Sequence, residues 1–110
     1  MLKNIPAILS PELLKTLCEM GHSDRRIIAD GNFPAESMGK NCKVIRADGH
    51  GVPELLDAIL TLFPLDTYVE KPVNLMQVMP GDTAKTPIWD EYKAIVAKHD
   101  ERGNKAIGQI

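Results

Sequence analysis

An apolar pattern in the middle of the 110-residue chain most constrains its fold. The side chains Val52, Leu55, Leu56, Ile59, Leu60 and Phe63 recur at the spacing of one helix face. Pro53 lies in the first turn, where proline is tolerated, and Pro64 stops the helix. This is the clearest amphipathic pattern in the chain, and the other elements are predicted around it.

Two further helices are predicted, one on each side of this pattern. Ser10-Pro11-Glu12 is a strong helix start, since Ser is a good N-cap, Pro favours the first position and Glu the first turn. Leu13, Leu14, Leu17 and Cys18 then form one stripe. Cys18 is therefore predicted to be a small core residue. Gly21 is predicted to end this helix with a positive φ. The other helix is predicted to start at Thr86-Pro87.

Apolar runs between the helices predict strands at 26–29, 42–47, 72–79 and 106–110. The run from Pro72 to Met79 is almost continuously apolar, which predicts a strand buried on both faces. Strands that alternate with helices indicate an α/β fold with a largely parallel sheet. No repeat or linker indicates a second domain, so residues 1–110 are predicted to form a single domain.

Composition and charge exclude several classes of function. The chain is 44% hydrophobic and 25% charged, as in a soluble globular domain. Its net charge of −2 and the absence of a basic run make nucleic acid and anionic membranes poor partners. The apolar stretches are too short to span a bilayer, and the first residues lack a secretory apolar core. We therefore expect a cytoplasmic protein.

His22 and Asp30 are the candidate functional residues. They flank the short run 25–29, and a histidine and a carboxylate in adjacent loops are the minimum equipment for proton transfer near neutral pH. That signal is weak by itself, because a His beside a helix end is more often a surface or capping residue. Asp24 has two equal interpretations, orienting His22 or bonding a backbone amide. Asp30-Gly31 is predicted to close the run 25–29 with a turn. The loop 30–41 is long and irregular, which favours a functional role.

Several segments together carry a family resemblance. They are Ile8–Lys15, Glu19–His22, Asp24, Asp30, Phe33–Ala35, Ser37–Gly39, Val44–Gly49 and Gly81–Thr83. They resemble the RbsD/FucU family of sugar mutarotases and pyranases, most closely its L-fucose mutarotase branch. The resemblance runs from the first residues to about Tyr92. Ser23 stands where the family often has Gly, and Gly31-Asn32 where an Ala-His pair is common.

This resemblance implies a three-layer α/β/α fold of RbsD type with a largely parallel, mixed central sheet. It implies an isomerase that interconverts the α and β anomers of a free monosaccharide, most like L-fucose. His22 would be the catalytic proton donor and Asp30 a substrate ligand, with no metal and no organic cofactor. The resemblance also implies a homo-oligomer, such as a ring or decamer.

The family's other ligands are an Arg or His in a late strand and a Tyr-x-Asn segment near the C-terminus. This chain offers no position for them, so we expect the native polypeptide to be longer than 110 residues. A non-catalytic sugar-binding or assembly module of the same fold is the alternative. A ribose pyranase is a third interpretation, although Phe33–Ala35 and Val44–Gly49 favour fucose.

A last expectation concerns how the site is assembled. An extended strand from His22 to Asp30 would span about 26 Å at about 3.3 Å per residue, far longer than a monosaccharide. Either the two loops fold back toward each other, or one subunit supplies His22 and its neighbour Asp30. We favour the shared site, because a symmetric oligomer can place one protomer's loop over another's strand end.

Overall fold

The computed structural model describes residues 2–110. Four α-helices, one 3₁₀ helix and two strands follow one another there. They are α1 (Pro11–Glu19), α2 (Ala35–Met38), α3 (Val52–Leu62), β1 (Val73–Leu75), α4 (Ile88–His99), η1 (Gly103–Ala106) and β2 (Ile107–Gln109). The residues group into two compact units, one ending at Ile59 and the other running from Leu60 to Ile110. The expectation of a single domain stays a prediction.

Helix α1 begins as predicted and ends earlier. The Ser10 side chain accepts a hydrogen bond from the Leu13 amide at 3.1 Å, which satisfies one of the free N–H groups of the first turn. The helix ends at Glu19, and Met20 leaves it in an extended conformation. Gly21 is not among the residues with positive φ, so its predicted role as the left-handed end residue is wrong.

Cys18 is exposed, and its prediction as a core residue is wrong. Leu17, its neighbour, is the buried residue of α1, with 8% of its surface exposed. Successive helix residues are rotated by about 100°. The buried face of α1 is therefore narrower than its apolar stripe, and the next position along already faces solvent.

Helix α3 confirms the apolar pattern that predicted it. Three consecutive residues are buried, Ala58, Ile59 and Leu60, and Ile59 is only 2% exposed. Consecutive side chains on a helix point in different directions. This part of α3 is therefore covered on more than one side.

The second unit contains a parallel pair of strands joined by helical structure. Strands β1 and β2 run parallel, and Val73 is paired with Ile107. Helix α4 and η1 form the crossover that a parallel pair requires. Val96 of α4 and Ala106 of η1 are completely buried. The predicted α/β class with a parallel sheet is confirmed here, as is the predicted strand near the end of the chain.

The other strand predictions differ from the structure. Strand β1 covers only Val73–Leu75, and Met76 and Met79 are 77% and 72% exposed, so a strand buried on both faces from 72 to 79 is wrong. Within residues 2–110, the runs 26–29 and 42–47 are not paired in a sheet. A strand requires a neighbour for its backbone groups, and an apolar run does not encode whether one is present.

The loop 30–41, predicted as irregular, contains the short helix α2. Gly39 ends α2, and a Cβ at this position would lie 2.6 Å from the Ala35 carbonyl oxygen and 2.7 Å from Val44 Cγ2. Any larger residue would have to displace backbone. The end of α2 is therefore packed closely against Val44.

Candidate functional site

His22 lies on a tight turn directly after α1. The Asp24 amide donates a hydrogen bond to the Gly21 carbonyl oxygen at 3.2 Å, so residues 21–24 form a β-turn with His22 as its second residue. Ser23, the third residue, has a φ of 74°, whereas His22 is not among the residues with positive φ. Positive φ at the third position alone is the geometry of a type II turn. The side chain of His22 is exposed on this turn.

The Asp24 carboxylate makes a second hydrogen bond between the two ends of the same turn. Its Oδ2 accepts a hydrogen bond from the Gly21 amide at 2.7 Å. Of the two interpretations of Asp24, the structure thus shows the bond to a backbone amide. Sequence reasoning missed the conformation of Ser23, although the Gly that the family often has there was a signal for it.

Asp30 begins a second turn. Its carbonyl oxygen accepts from the Phe33 amide at 3.1 Å, and its Oδ1 accepts from the Asn32 amide at 3.0 Å. A carboxylate bonded to the amide two residues on is an Asx turn, which is a frequent role of Asp at loop starts. The predicted turn chemistry at Asp30 is confirmed. The carboxylate of Asp30 is exposed, and the hydrogen bond from the Asn32 amide holds it in place.

His22 and Asp30 thus lie on two defined turns of the same compact unit, both open to solvent. No strand connects them, so the length of about 26 Å for an extended run is only an upper limit. Two shallow depressions of about 420 Å³ and 560 Å³ lie in the second unit and include Arg102 in their lining. His22 and Asp30 line neither of them.

Arg26 follows the His22 turn by two residues in the sequence. Its Nη1 contacts the sulfur of Met20 at 3.5 Å. Burial lowers the pKa of Arg26 from its ordinary value, because a desolvated cation loses hydration. Guanidinium groups nevertheless stay protonated in proteins. A fixed positive charge therefore lies between the two turns in sequence.

A second histidine turn offers a comparison. The His50 amide donates to the Ala47 carbonyl oxygen at 3.3 Å, and Gly49 has a φ of 85°. His50 Nδ1 lies 3.5 Å from a carboxylate oxygen of Glu54 on α3. The side chain of His50 is exposed, as is that of His22. His50 is thus a natural control for substitutions at His22.

Within residues 2–110, no three His, Cys, Asp or Glu side chains are grouped so that they could hold a metal ion. In the same part of the chain, no helix is both long and apolar enough to cross a membrane. The chemistry available at the two turns is proton transfer by an imidazole and hydrogen-bond acceptance by a carboxylate.

The RbsD/FucU transport protein family matches residues 3–110. This chain belongs to that family. It is 50% identical over 101 residues to human fucose mutarotase, covering 88% of this chain and 66% of that protein. It is 50% identical over 98 residues to L-fucose mutarotase of Actinobacillus pleuropneumoniae serotype 5b, covering 89% of this chain and 67% of that one. The chain thus spans about two thirds of the length of these relatives.

Solved structures have the same fold. FucU from Bifidobacterium longum superposes with a TM-score of 0.92 at 65% identity, covering 96% of this chain and 74% of that one. The fucose mutarotase from Streptococcus pneumoniae, solved in complex with L-fucose, gives a TM-score of 0.86 at 45% identity, covering 99% of this chain and 75% of that one. The resemblance stated from the sequence motifs is confirmed.

Proposed function

We propose that this protein is an L-fucose mutarotase, an isomerase that interconverts the α and β anomers of the free sugar. The observation that carries the proposal is the fold shared with a fucose mutarotase solved in complex with L-fucose, at a TM-score of 0.86 over 99% of this chain. Identities of about 50% to relatives named fucose mutarotase support the same activity.

In the proposed mechanism His22 is the proton donor. An acid protonates the ring oxygen while a base removes the proton from the anomeric hydroxyl, so the ring bond breaks and a carbonyl forms. Rotation of the open chain and reversal of both proton transfers then close the ring on the other carbonyl face. Histidine suits this role, since both of its protonation states are accessible near neutral pH. The exposed turn gives a sugar access to the imidazole.

Asp30 is proposed to bind the sugar. An ionised carboxylate has two acceptor oxygens with about four lone-pair sites. The Asn32 amide occupies one site on Oδ1, which fixes the carboxylate. Hydrogen bonds from sugar hydroxyls to a charged acceptor are stronger than neutral ones, so Asp30 would hold the ring while the proton moves.

The activity is tested by NMR saturation transfer between the α and β anomers of L-fucose. We expect the natively expressed protein to exchange them faster than buffer does. The variant His22→Ala should lose about 100-fold or more of the rate, in line with the contribution of a positioned acid. The matched variant His50→Ala removes an exposed turn histidine of the same unit and should keep the rate.

Other outcomes would identify the alternatives. Fucose binding without faster exchange would indicate a sugar-binding module that lacks turnover. Faster exchange of the pyranose and furanose forms of ribose, with no effect on fucose, would indicate a ribose pyranase. Exchange that is unchanged in His22→Ala would assign the proton transfer to another group and overturn the role proposed for His22.

A cytoplasmic homo-oligomer is proposed as the working form, with a ring such as a decamer as one form. Exposed apolar side chains support self-association, since large apolar surface favours burial at an interface. Met38 and Met76 are 68% and 77% exposed, whereas Leu65 is half-buried. Light scattering at micromolar concentration tests this, and a species of about 12 kDa, the mass of the chain, would contradict it.

A further inference from the structure

We propose that Asp24 is a positioning residue, whose carboxylate holds His22 in the orientation needed for proton donation. The inference rests on the function proposed above and adds a residue to it. Asp24 acts through the backbone of the turn and is not itself a proton donor. Its contact is the 2.7 Å hydrogen bond that its Oδ2 accepts from the Gly21 amide.

The bond completes a clamp across the turn. Gly21 and Asp24 are joined twice, by the 2.7 Å bond to the carboxylate and by the 3.2 Å bond from the Asp24 amide to the Gly21 carbonyl oxygen. His22 and Ser23 are the only residues between them. The two bonds use both the N–H and the C=O of Gly21, so the backbone on the N-terminal side of His22 is fixed in direction.

Ser23 makes this clamp necessary. A φ of 74° is disfavoured for a residue with a side chain, because its Cβ approaches the backbone. Without a second constraint, the turn would relax toward conformations with negative φ at Ser23. His22 precedes Ser23 directly, so that relaxation would rotate the imidazole away from its place. The hydrogen bond from the Gly21 amide to Asp24 opposes it.

Two other turns of the chain support this argument by contrast. In the turns 47–50 and 79–82 the third residue is a glycine, Gly49 or Gly81, and both have a φ of 85°. Glycine adopts positive φ without strain. In the second of them Asp82 has the same position as Asp24, but its carboxylate bonds forward to the Ala84 amide at 2.8 Å. The backward clamp is found where the third residue carries a side chain.

The positioning of the imidazole matters because proton transfer is sensitive to geometry. A general acid has to reach hydrogen-bond distance of the atom that it protonates, about 2.6–3.2 Å. A misplacement of about 1 Å can lower a rate about 100-fold. The sugar itself is proposed to be held by Asp30 on a separate turn, so losing the clamp should lower kcat and leave KM nearly unchanged.

The test compares four variants by anomer exchange at several fucose concentrations. We expect Asp24→Ala to lower kcat about 10- to 100-fold and to change KM less than about twofold. Asp24→Asn keeps an oxygen that can accept from the Gly21 amide and should stay within about threefold of the wild type. Asp82→Ala, the matched control, should leave kcat unchanged. Adding Ser23→Gly to Asp24→Ala should restore part of kcat, because glycine adopts the turn without the clamp.

Each outcome separates the two proposals. Loss of exchange in His22→Ala with full exchange in Asp24→Ala would overturn the positioning role and leave the proposed function standing. Equal losses in Asp24→Ala and Asp24→Asn, with no rescue by Ser23→Gly, would show that the negative charge matters and would also overturn it. Absence of exchange in the wild type would overturn the proposed function itself. In that case the NMR signals of the His22 imidazole ring test the clamp. These signals should broaden in Asp24→Ala and sharpen again when Ser23→Gly is added to Asp24→Ala.

Discussion

Arg102 and Asp100 form a two-pronged ion pair at the end of α4. Arg102 Nε lies 3.0 Å from Asp100 Oδ1, and Nη2 lies 2.9 Å from Oδ2. The same guanidinium donates to the carbonyl oxygens of Val69 at 3.0 Å and Asp66 at 3.2 Å. One side chain therefore ties the end of α4 to the segment that leads toward β1.

The first prediction is that Arg102 stabilises the second unit far more than a surface arginine does. Arg102→Ala should lower the urea midpoint of unfolding, since it leaves the Asp100 carboxylate and two carbonyl groups without this donor. Arg102→Lys should retain only part of the effect, because an ammonium lacks the planar fork of donors. The control is Arg46→Ala, which breaks a pair with Asp48 whose side chains are 63% and 74% exposed. A midpoint as low in Arg46→Ala as in Arg102→Ala would contradict this prediction.

The second prediction concerns acid. The hydrogen bonds from Arg102 lower the pKa of Asp100 from its ordinary value of 3.8. A carboxyl with a lower pKa in the folded state contributes stability that is fully present above 3.8 and is lost as the pH falls through the lowered value. The wild type should therefore lose more of its urea midpoint between pH 6 and pH 3 than Asp100→Asn does. Arg102→Ala should resemble Asp100→Asn, and an equal loss in all three would show that another group controls the acid response.

The third prediction uses one substitution at two places. Ser23→Gly should stabilise the protein by about 0.5–1 kcal/mol, because the strain of positive φ is relieved and exceeds the greater chain entropy of glycine. Ser37→Gly lies within α2 and should destabilise by about 0.5 kcal/mol, because glycine is less favourable in a helix than serine. Free energies of unfolding from urea titration measure both. If both substitutions changed the free energy of unfolding in the same direction, the positive φ of Ser23 would not explain the effect at position 23.

The fourth prediction concerns the core. Ile59 is 2% exposed, and Ile59→Ala should cost about 2–5 kcal/mol through lost burial and the cavity left behind. Ile27 is 81% exposed, and Ile27→Ala should stay within about 0.5 kcal/mol. The two variants remove the same atoms, so their difference in unfolding free energy measures burial. A comparable loss at Ile27 would show that this side chain is covered, as at a subunit interface.

The parts of the fold that sequence could predict are those with local causes. Helix α3 followed from its apolar spacing, and the start of α1 from Ser10 and Pro11, because periodicity and capping act within a few residues. The strand predicted at 26–29 is not paired in the part of the chain that the structure describes, since pairing depends on a neighbour that is distant in the sequence. The prediction that Cys18 is a core residue was wrong for a related reason. The width of a buried helix face is set by what packs against it, and an apolar stripe does not contain that information.

The candidate site shows the same division. The Asx turn at Asp30 could be predicted, since Asp followed by Gly is local turn chemistry. The clamp from Asp24 could only be posed as one of two alternatives. The hydrogen bond from the Gly21 amide to Asp24 Oδ2 decided between them, and serine itself carries no signal for the positive φ at position 23. Whether one chain or two neighbouring chains supply His22 and Asp30 to a site stays a prediction.

The fifth prediction is that the site is shared between subunits. In a symmetric oligomer one protomer would supply His22 and its neighbour Asp30. The variants His22→Ala and Asp30→Ala should each be inactive alone. Refolding them together at equal amounts should restore about a quarter of the sites, because half of the positions supplying each residue are intact and the two choices are independent.

Anomer exchange by saturation transfer measures the restored activity, and light scattering on the same sample verifies that the mixed oligomer has formed. Each variant refolded with itself is the control and should stay inactive. A site built within one chain predicts a different result, since every chain in the mixture then lacks one of its two residues. Exchange that stays at the level of buffer in a fully assembled mixture would therefore place His22 and Asp30 of one chain in the same site.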